Sequence, residues 1–277
     1  MTEPRTTSAA AADANASILR RPATWVYVLL VVAGLVVIVP RFVLMLDQPD
    51  LLVVTWLGGA IQAVALLLFG WVMLPKRRAS APAVLLSILI GATFCTGSAI
   101  TLVNIGATLR LERFVVTPII EEVVKLVAVL VVLLMLRPRL RGPLDGLIIG
   151  YFVAFGFTIV ENMLYTSDAA NITAGWQLVI TRLIFQFGTH VLYTAIAGAA
   201  LAYVVLSRGR KWWLLVAAFA SVLAVHLLWD VLGLWLAPLV YLGAAVVLGA
   251  AAIVAFVLVR RACAAFERRA DAVGSAD

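Results

Sequence analysis

A chain of 277 residues in which 64% of side chains are hydrophobic and 13% charged, with mean hydropathy +1.10, excludes a water-soluble fold. Soluble domains are nearer half apolar and a quarter charged. The net charge of +7 would suit a polyanion, but the basic residues are spread as a bilayer spreads them, so no nucleic-acid partner is expected.

Residues 1–22 are rich in Ala, Thr and Ser without an apolar period, and are expected to be a disordered cytoplasmic segment. Eight apolar runs follow: Trp25–Leu44, Leu51–Leu74, Pro82–Ile105, Phe114–Leu136, Gly146–Tyr165, Gln177–Leu206, Trp212–Leu234 and Leu239–Val259. Each is near the roughly 20 residues a helix needs to cross the hydrocarbon core. The first run follows Arg20 and Arg21, lacks a small-x-small cleavage site and continues to Pro40 and Arg41, so it reads as an anchor. Short alternating strands, the mark of a membrane barrel, are missing. Residues 23–260 are therefore expected to be one all-α domain, a polytopic transmembrane helical bundle of about eight spans. Residues 261–277, rich in Ala, Arg and Asp, read as a disordered cytoplasmic tail.

Sixteen of the 21 lysines and arginines fall in alternate connections, among them Lys76–Arg78, Arg137–Arg141 and Arg208–Lys211. The positive-inside rule then puts both termini in the cytoplasm of a multi-pass cell-membrane protein. Cys95 lies in a span and Cys263 in the tail, so no disulfide is expected. Gly146 and Gly150, with Gly198–Ala200, are small residues placed for close helix approach.

Within the apolar runs stand Glu121, Glu122, Lys125, Glu161, Arg182, His190, His226 and Asp230, including both histidines of the chain. Each charge at mid-membrane costs roughly 2.5–3.5 kcal/mol on insertion scales, so eight on four consecutive spans point to function rather than to structure. Lys125 is i,i+4 from Glu121 and i,i+3 from Glu122, within reach of both. Thr117 extends that face, and Pro118 should disrupt the helix one turn before Glu122. Arg182, Gln186, His190 and Thr194 recur every four residues as a stripe. Asp230, i,i+4 from His226, is placed to orient its imidazole, and Glu161 is followed by Asn162.

At 1.5 Å per residue, Glu122 lies about 14 Å from Arg113, Glu161 about 8 Å from Thr166, His190 about 12 Å from Arg182, and His226 about 12 Å from Leu234. Two of these runs point inward and two outward, yet the four residues fall at similar depth in the outer half. Convergence on one site is expected.

Pro118-Ile-Ile-Glu-Glu-Val-Val-Lys125 resembles the E-E-x-x-K motif of the PrsW intramembrane proteases. Asp145-Gly146 followed by Phe157-Thr-Ile-Val-Glu-Asn162 resembles that family's second motif. Gly188-Thr-His190 and His226-Leu-Leu-Trp-Asp230 resemble its two histidine motifs, so the match covers about 113–230. The resemblance implies a glutamate- or metal-dependent endopeptidase with Glu121, Glu122, Glu161, His190 and His226 as catalytic residues and Lys125, Asn162 and Asp230 in support. Glu121 would be the base, His190 or Glu161 would help to hold the water, and His226 would face the oxyanion. The wider CAAX-prenyl-endopeptidase superfamily is similar, but Lys125 and Glu161 depart from its pattern. That argues for a membrane-anchored protein substrate, such as an anti-sigma factor, over a prenylated one.

The chemistry leaves the cofactor open between none and zinc. Peptide hydrolysis needs an activated water and donors for the oxyanion, which glutamates and histidines supply unaided. Glu122, Glu161, His190 and His226 are alternatively a zinc ligand set. No H-E-x-x-H is present, so a metal stays open, with a metal-free glutamate mechanism favoured by a small margin. A proton- or ion-coupled transporter would bury the same residues, yet it needs a polar path to the cytoplasm, and the inner halves of these runs are nearly apolar. A non-catalytic scaffold would tolerate loss of both histidines.

Overall fold

The computed structural model describes residue 18 and residues 20–75, 80–185 and 188–274. They form helices α1 (Pro22–Leu44), α2 (Pro49–Met73), α3 (Ala81–Ile90), α4 (Thr96–Thr108), α5 (Arg113–Leu136), α6 (Pro143–Ser167), α7 (Ile172–Phe185), α8 (Thr189–Leu206), α9 (Trp213–Trp235) and α10 (Pro238–Gly274). No strand occurs among the described residues. Proline in the first turn opens α1, α2, α3 and α6, where its missing N–H costs nothing and its fixed φ suits the helix.

Seven units are long and apolar enough to cross a membrane: α1, α2, α3 with α4, α6, α8, α9 and α10. Helix α5 has 24 residues, about 36 Å, and stands apart from that set only because Glu121, Glu122 and Lys125 interrupt its apolar sequence. With it the described residues offer eight helical units of membrane-crossing length. Helix α6 is the axis: 78% of its membrane window is buried, against 17% for α1, α9 and α10. Its Gly146 and Gly150 meet α8 at Gly198 and Thr194, where a Cβ on any of the three glycines would overlap backbone atoms of the facing helix. The small residues of α6 and α8 therefore do pack as predicted.

Four expectations need correction. The run Gln177–Leu206 is not one helix: α7 ends at Phe185 and α8 begins at Thr189 after Gly188, whose φ of 76° lies in the left-handed region. The depth of His190 therefore cannot be counted along a helix from Arg182, and the four-residue stripe is cut. Gln186 of that stripe lies outside the described residues, as do Lys76–Arg78 and residues 1–17. Helix α5 continues through Pro118 instead of breaking there, because the lost hydrogen bond lies near its N-terminal end. The segment after Arg260 is helical to Gly274 rather than disordered. Its Ala, Arg and Glu are strong helix formers, and Glu267 is buried, with Oε1 accepting from Leu144 N at 3.0 Å. Finally, the third crossing is interrupted by a π turn at Gly91–Cys95 that no sequence period revealed.

The start of α6 is thus capped twice. Asp145, the first residue of the Asp-Gly motif, accepts from Arg141 N at 2.5 Å and Gly142 N at 3.2 Å. Glu267 accepts from the next free donor. Carboxylates here satisfy the open N–H groups and oppose the helix dipole.

Candidate active site

Helices α5, α6, α8 and α9 bring Glu121, Glu122, Lys125, Glu161, His190 and His226 into one cluster. All but Glu161 are at least nine-tenths buried, Lys125 completely. On one turn of α5, the Lys125 ammonium lies 2.5 Å from Glu122 Oε1 and 3.9 Å from Glu121 Oε2. It also lies 3.2 Å from His190 Nδ1 and 4.7 Å from the Phe157 ring centre. The second imidazole places Nδ1 2.9 Å from Glu122 Oε1 and Nε2 3.9 Å from Glu121 Oε2. The two imidazole rings cross edge to face at 5.0 Å.

These contacts assign the tautomers. An ammonium has donors and no acceptor, so His190 Nδ1 receives Lys125 and its proton sits on Nε2, which faces Glu161 Oε2 at 3.7 Å. Glu122 Oε1 accepts from Lys125 and from His226 Nδ1–H, so the neutral imidazole carries its lone pair on Nε2. The carboxylate that orients His226 is therefore Glu122 from a neighbouring helix, and not Asp230 one turn away on α9.

Glu161 is held from the opposite side. Arg182 lies 3.0 Å from its Oε1 and stacks over Tyr165 at 4.0 Å. Arg182 Nε also donates to Asn162 Oδ1. Asn162 Nδ2 donates to Gln62 Oε1 at 2.7 Å, and Gln62 Nε2 to Val179 O at 3.5 Å. Gln62 was not singled out by sequence reasoning. Its signal was a neutral amide in the middle of an otherwise apolar run.

Two carboxylate oxygens of the cluster, Oε2 of Glu121 and Oε2 of Glu161, are buried and make no hydrogen bond among the described residues. Both residues line a cavity of about 150 Å³, with Thr117 on its wall and Arg41, Arg113 and Asp168 at its mouth.

The sequence model described as PrsW family intramembrane metalloprotease matches residues 22–260. The chain belongs to this family. Comparison with curated proteins and with solved structures gives no match. As a PrsW-family member it is a peptidase whose substrate is a protein within the bilayer, and the transporter reading falls. The match extends well past 113–230, so the flanking spans also belong to the family's domain.

A family of metalloproteases requires a place for a metal ion. Glu121, His190 and His226 each offer a ligand atom, all within 4.8 Å of one another. The donor set suits zinc, which takes His nitrogen and carboxylate oxygen. His226 Nε2 and Glu121 Oε2 face each other as two acceptors, an arrangement that a shared cation satisfies. Glu122 behind His226 is the outer carboxylate that commonly fixes a ligand imidazole. The PrsW site thus fits a metal through Glu121 rather than through Glu122, whose Oε1 is taken by Lys125 and His226.

Proposed function

We propose that this PrsW-family member cleaves a membrane-anchored protein, of the anti-sigma-factor kind, near the outer membrane boundary. Glu121, His190 and His226 would hold a zinc ion, and Glu161 would take the proton from water. When bound, zinc supplies Lewis-acid polarisation of the scissile carbonyl. His226 is already the ligand tautomer. His190 would serve as a ligand in its other neutral tautomer, with the proton on Nδ1 and the lone pair on Nε2, Lys125 then being held by Glu122 and Glu121 alone. Arg182 fixes Glu161 Oε1, so Oε2 stays aimed into the cavity as the proton acceptor. Lys125 neutralises Glu122 and keeps the second carboxylate of the pair from repelling Glu121. The basic connections support the outer placement, since the positive-inside rule favours a cavity mouth on the extracytoplasmic side.

The observation that carries the reading is the buried oxygen of Glu121, which shares ligand separations with both imidazoles at the floor of a cavity. The test is cleavage of a purified single-span substrate in detergent, together with elemental analysis. Glu161→Gln should keep the metal and lose turnover by about 10²–10⁴-fold, the usual worth of a general base. Glu121→Gln should lose both. Retention of the metal by Glu121→Gln with turnover lost would return the base role to Glu121 and overturn the ligand assignment.

A further inference from the structure

The cavity above the glutamates carries opposite charge at its two ends. Its floor is formed by Glu121 and Glu161, and its mouth by Arg41 and Arg113 with a single acid, Asp168. Arg113 is exposed and takes part in no ion pair among the described residues. Arg41 meets Asp168 at 3.9 Å, with 42% of the Arg41 side chain and 69% of the Asp168 side chain exposed. An exposed pair at that distance contributes little and exchanges readily. The first turn of α5 opens at the same place: Val115 N and Val116 N both bond to Glu112 O, and the N–H groups ahead of them are the free positive end of the helix. The Asn104 amide also lines the cavity. The mouth is therefore built of donors and positive charge on a bundle that elsewhere shows lipid an apolar face.

Resting on the protease reading, we infer that this mouth is a specificity subsite for an acidic side chain of the substrate, three to four residues outward of the scissile bond. The register follows from geometry. Arg113 and Glu121 are eight residues apart on α5, about 12 Å along the axis. An extended peptide covers that in three to four residues at about 3.3 Å each. A segment entering outer end first leaves its carboxylate beside Arg113 and Arg41 as its scissile carbonyl arrives over Glu121. Asp168 holds Arg41 in the same role when no substrate is bound.

The experiment uses the full chain carrying Glu121→Gln and Glu161→Gln, in nanodiscs of uncharged phosphatidylcholine. The probes are synthetic single-span peptides whose neutral outer segment bears one Asp, Ala or Lys, scanned along six positions. At the best position the Asp peptide should bind about fivefold tighter than the Lys peptide, the scale of an exposed ion pair. Adding Arg113→Glu should invert that order, and adding Arg113→Gln should abolish it. The melting temperature of each variant, compared with the parent's, reports whether it is folded. Equal binding of the Asp and Lys peptides overturns the subsite, as does a preference that survives both Arg113 substitutions, or no peptide binding at all. A preference that disappears once anionic lipid is added assigns the mouth to lipid phosphate and overturns it too. Cleavage of the Asp peptide by the unsubstituted protein is scored separately, so failure of the protease reading remains distinguishable.

Discussion

His226 Nδ1 lies 2.9 Å from Glu122 Oε1, the oxygen on which Lys125 closes at 2.5 Å from the other side. One carboxylate oxygen thus joins the two motif halves, E-E-x-x-K on α5 and the second histidine on α9. It also divides the adjacent glutamates by task, since Glu122 is spent on neighbours and Glu121 is left with an oxygen to use.

Removing Lys125 should therefore be felt first as instability. Lys125→Met leaves the Glu122 charge buried against His226 alone, and breaking a buried pair from one side costs about 3–5 kcal/mol. Thermal unfolding in detergent should show a marked fall in Tm. An unchanged Tm would mean that Lys125 does not neutralise Glu122.

Metal content should follow the hydrogen-bond assignment. His226→Ala should bring bound zinc from about one per chain to near zero. Glu122→Gln should weaken affinity by about 10–100-fold, the usual effect of disturbing the carboxylate behind a ligand imidazole. A chelator should abolish cleavage by the unsubstituted protein, and added zinc should restore it. Full zinc occupancy in His226→Ala would remove this residue from the ligand set.

Gln62 should matter although it stands outside the cluster. Gln62→Leu leaves the Asn162 amide buried without its acceptor, at about 1–3 kcal/mol. It also loosens Arg182 on Glu161, so kcat should fall with KM little changed. A rise in KM alone would place Gln62 in substrate binding.

The break before α8 is testable by backbone strain. Gly188 has φ 76°, and only ordinary van der Waals contact would meet a side chain there, from Phe69 at 3.4 Å or more. Gly188→Ala should therefore cost about 1–2 kcal/mol from conformation alone. Because Thr189 and His190 follow directly, activity should fall further than Tm predicts. An unaltered Tm would show that the backbone is not held left-handed at Gly188.

Orientation is tested by labelling. Single cysteines at Arg139 and Arg210 should resist a membrane-impermeant thiol reagent in intact cells, and one at Ala170 should react. The reverse pattern would place the cavity mouth on the cytoplasmic side.

What the sequence revealed and what it concealed divide along physical lines. Span lengths were legible because bilayer thickness and helix rise leave little freedom, and the site was legible because each charge in hydrocarbon must be accounted for. The convergence expected of Glu121, Glu122, Glu161, His190 and His226 is present in the folded chain. The partner of His226 was not legible: Asp230 offered a local i,i+4 signal, whereas Glu122 reaches it across 104 positions of sequence. The break at Gly188 was hidden because apolar residues continue on both sides and a φ angle leaves no mark in composition. The tail was misread for a similar reason, as its docking rests on Glu267 and Leu144, 123 positions apart.

The seam between α6 and α8 has a mechanical consequence. Gly146 and Gly198 let the two backbones touch, and eight residues separate Gly198 from His190, about 12 Å along α8. Helix α8 is then a stiff lever whose fulcrum is bare backbone, with an imidazole at its far end. A single methyl group at Gly198 would act as a wedge at that fulcrum, swinging His190 away from Lys125 and Glu161 while leaving every polar side chain of the site intact.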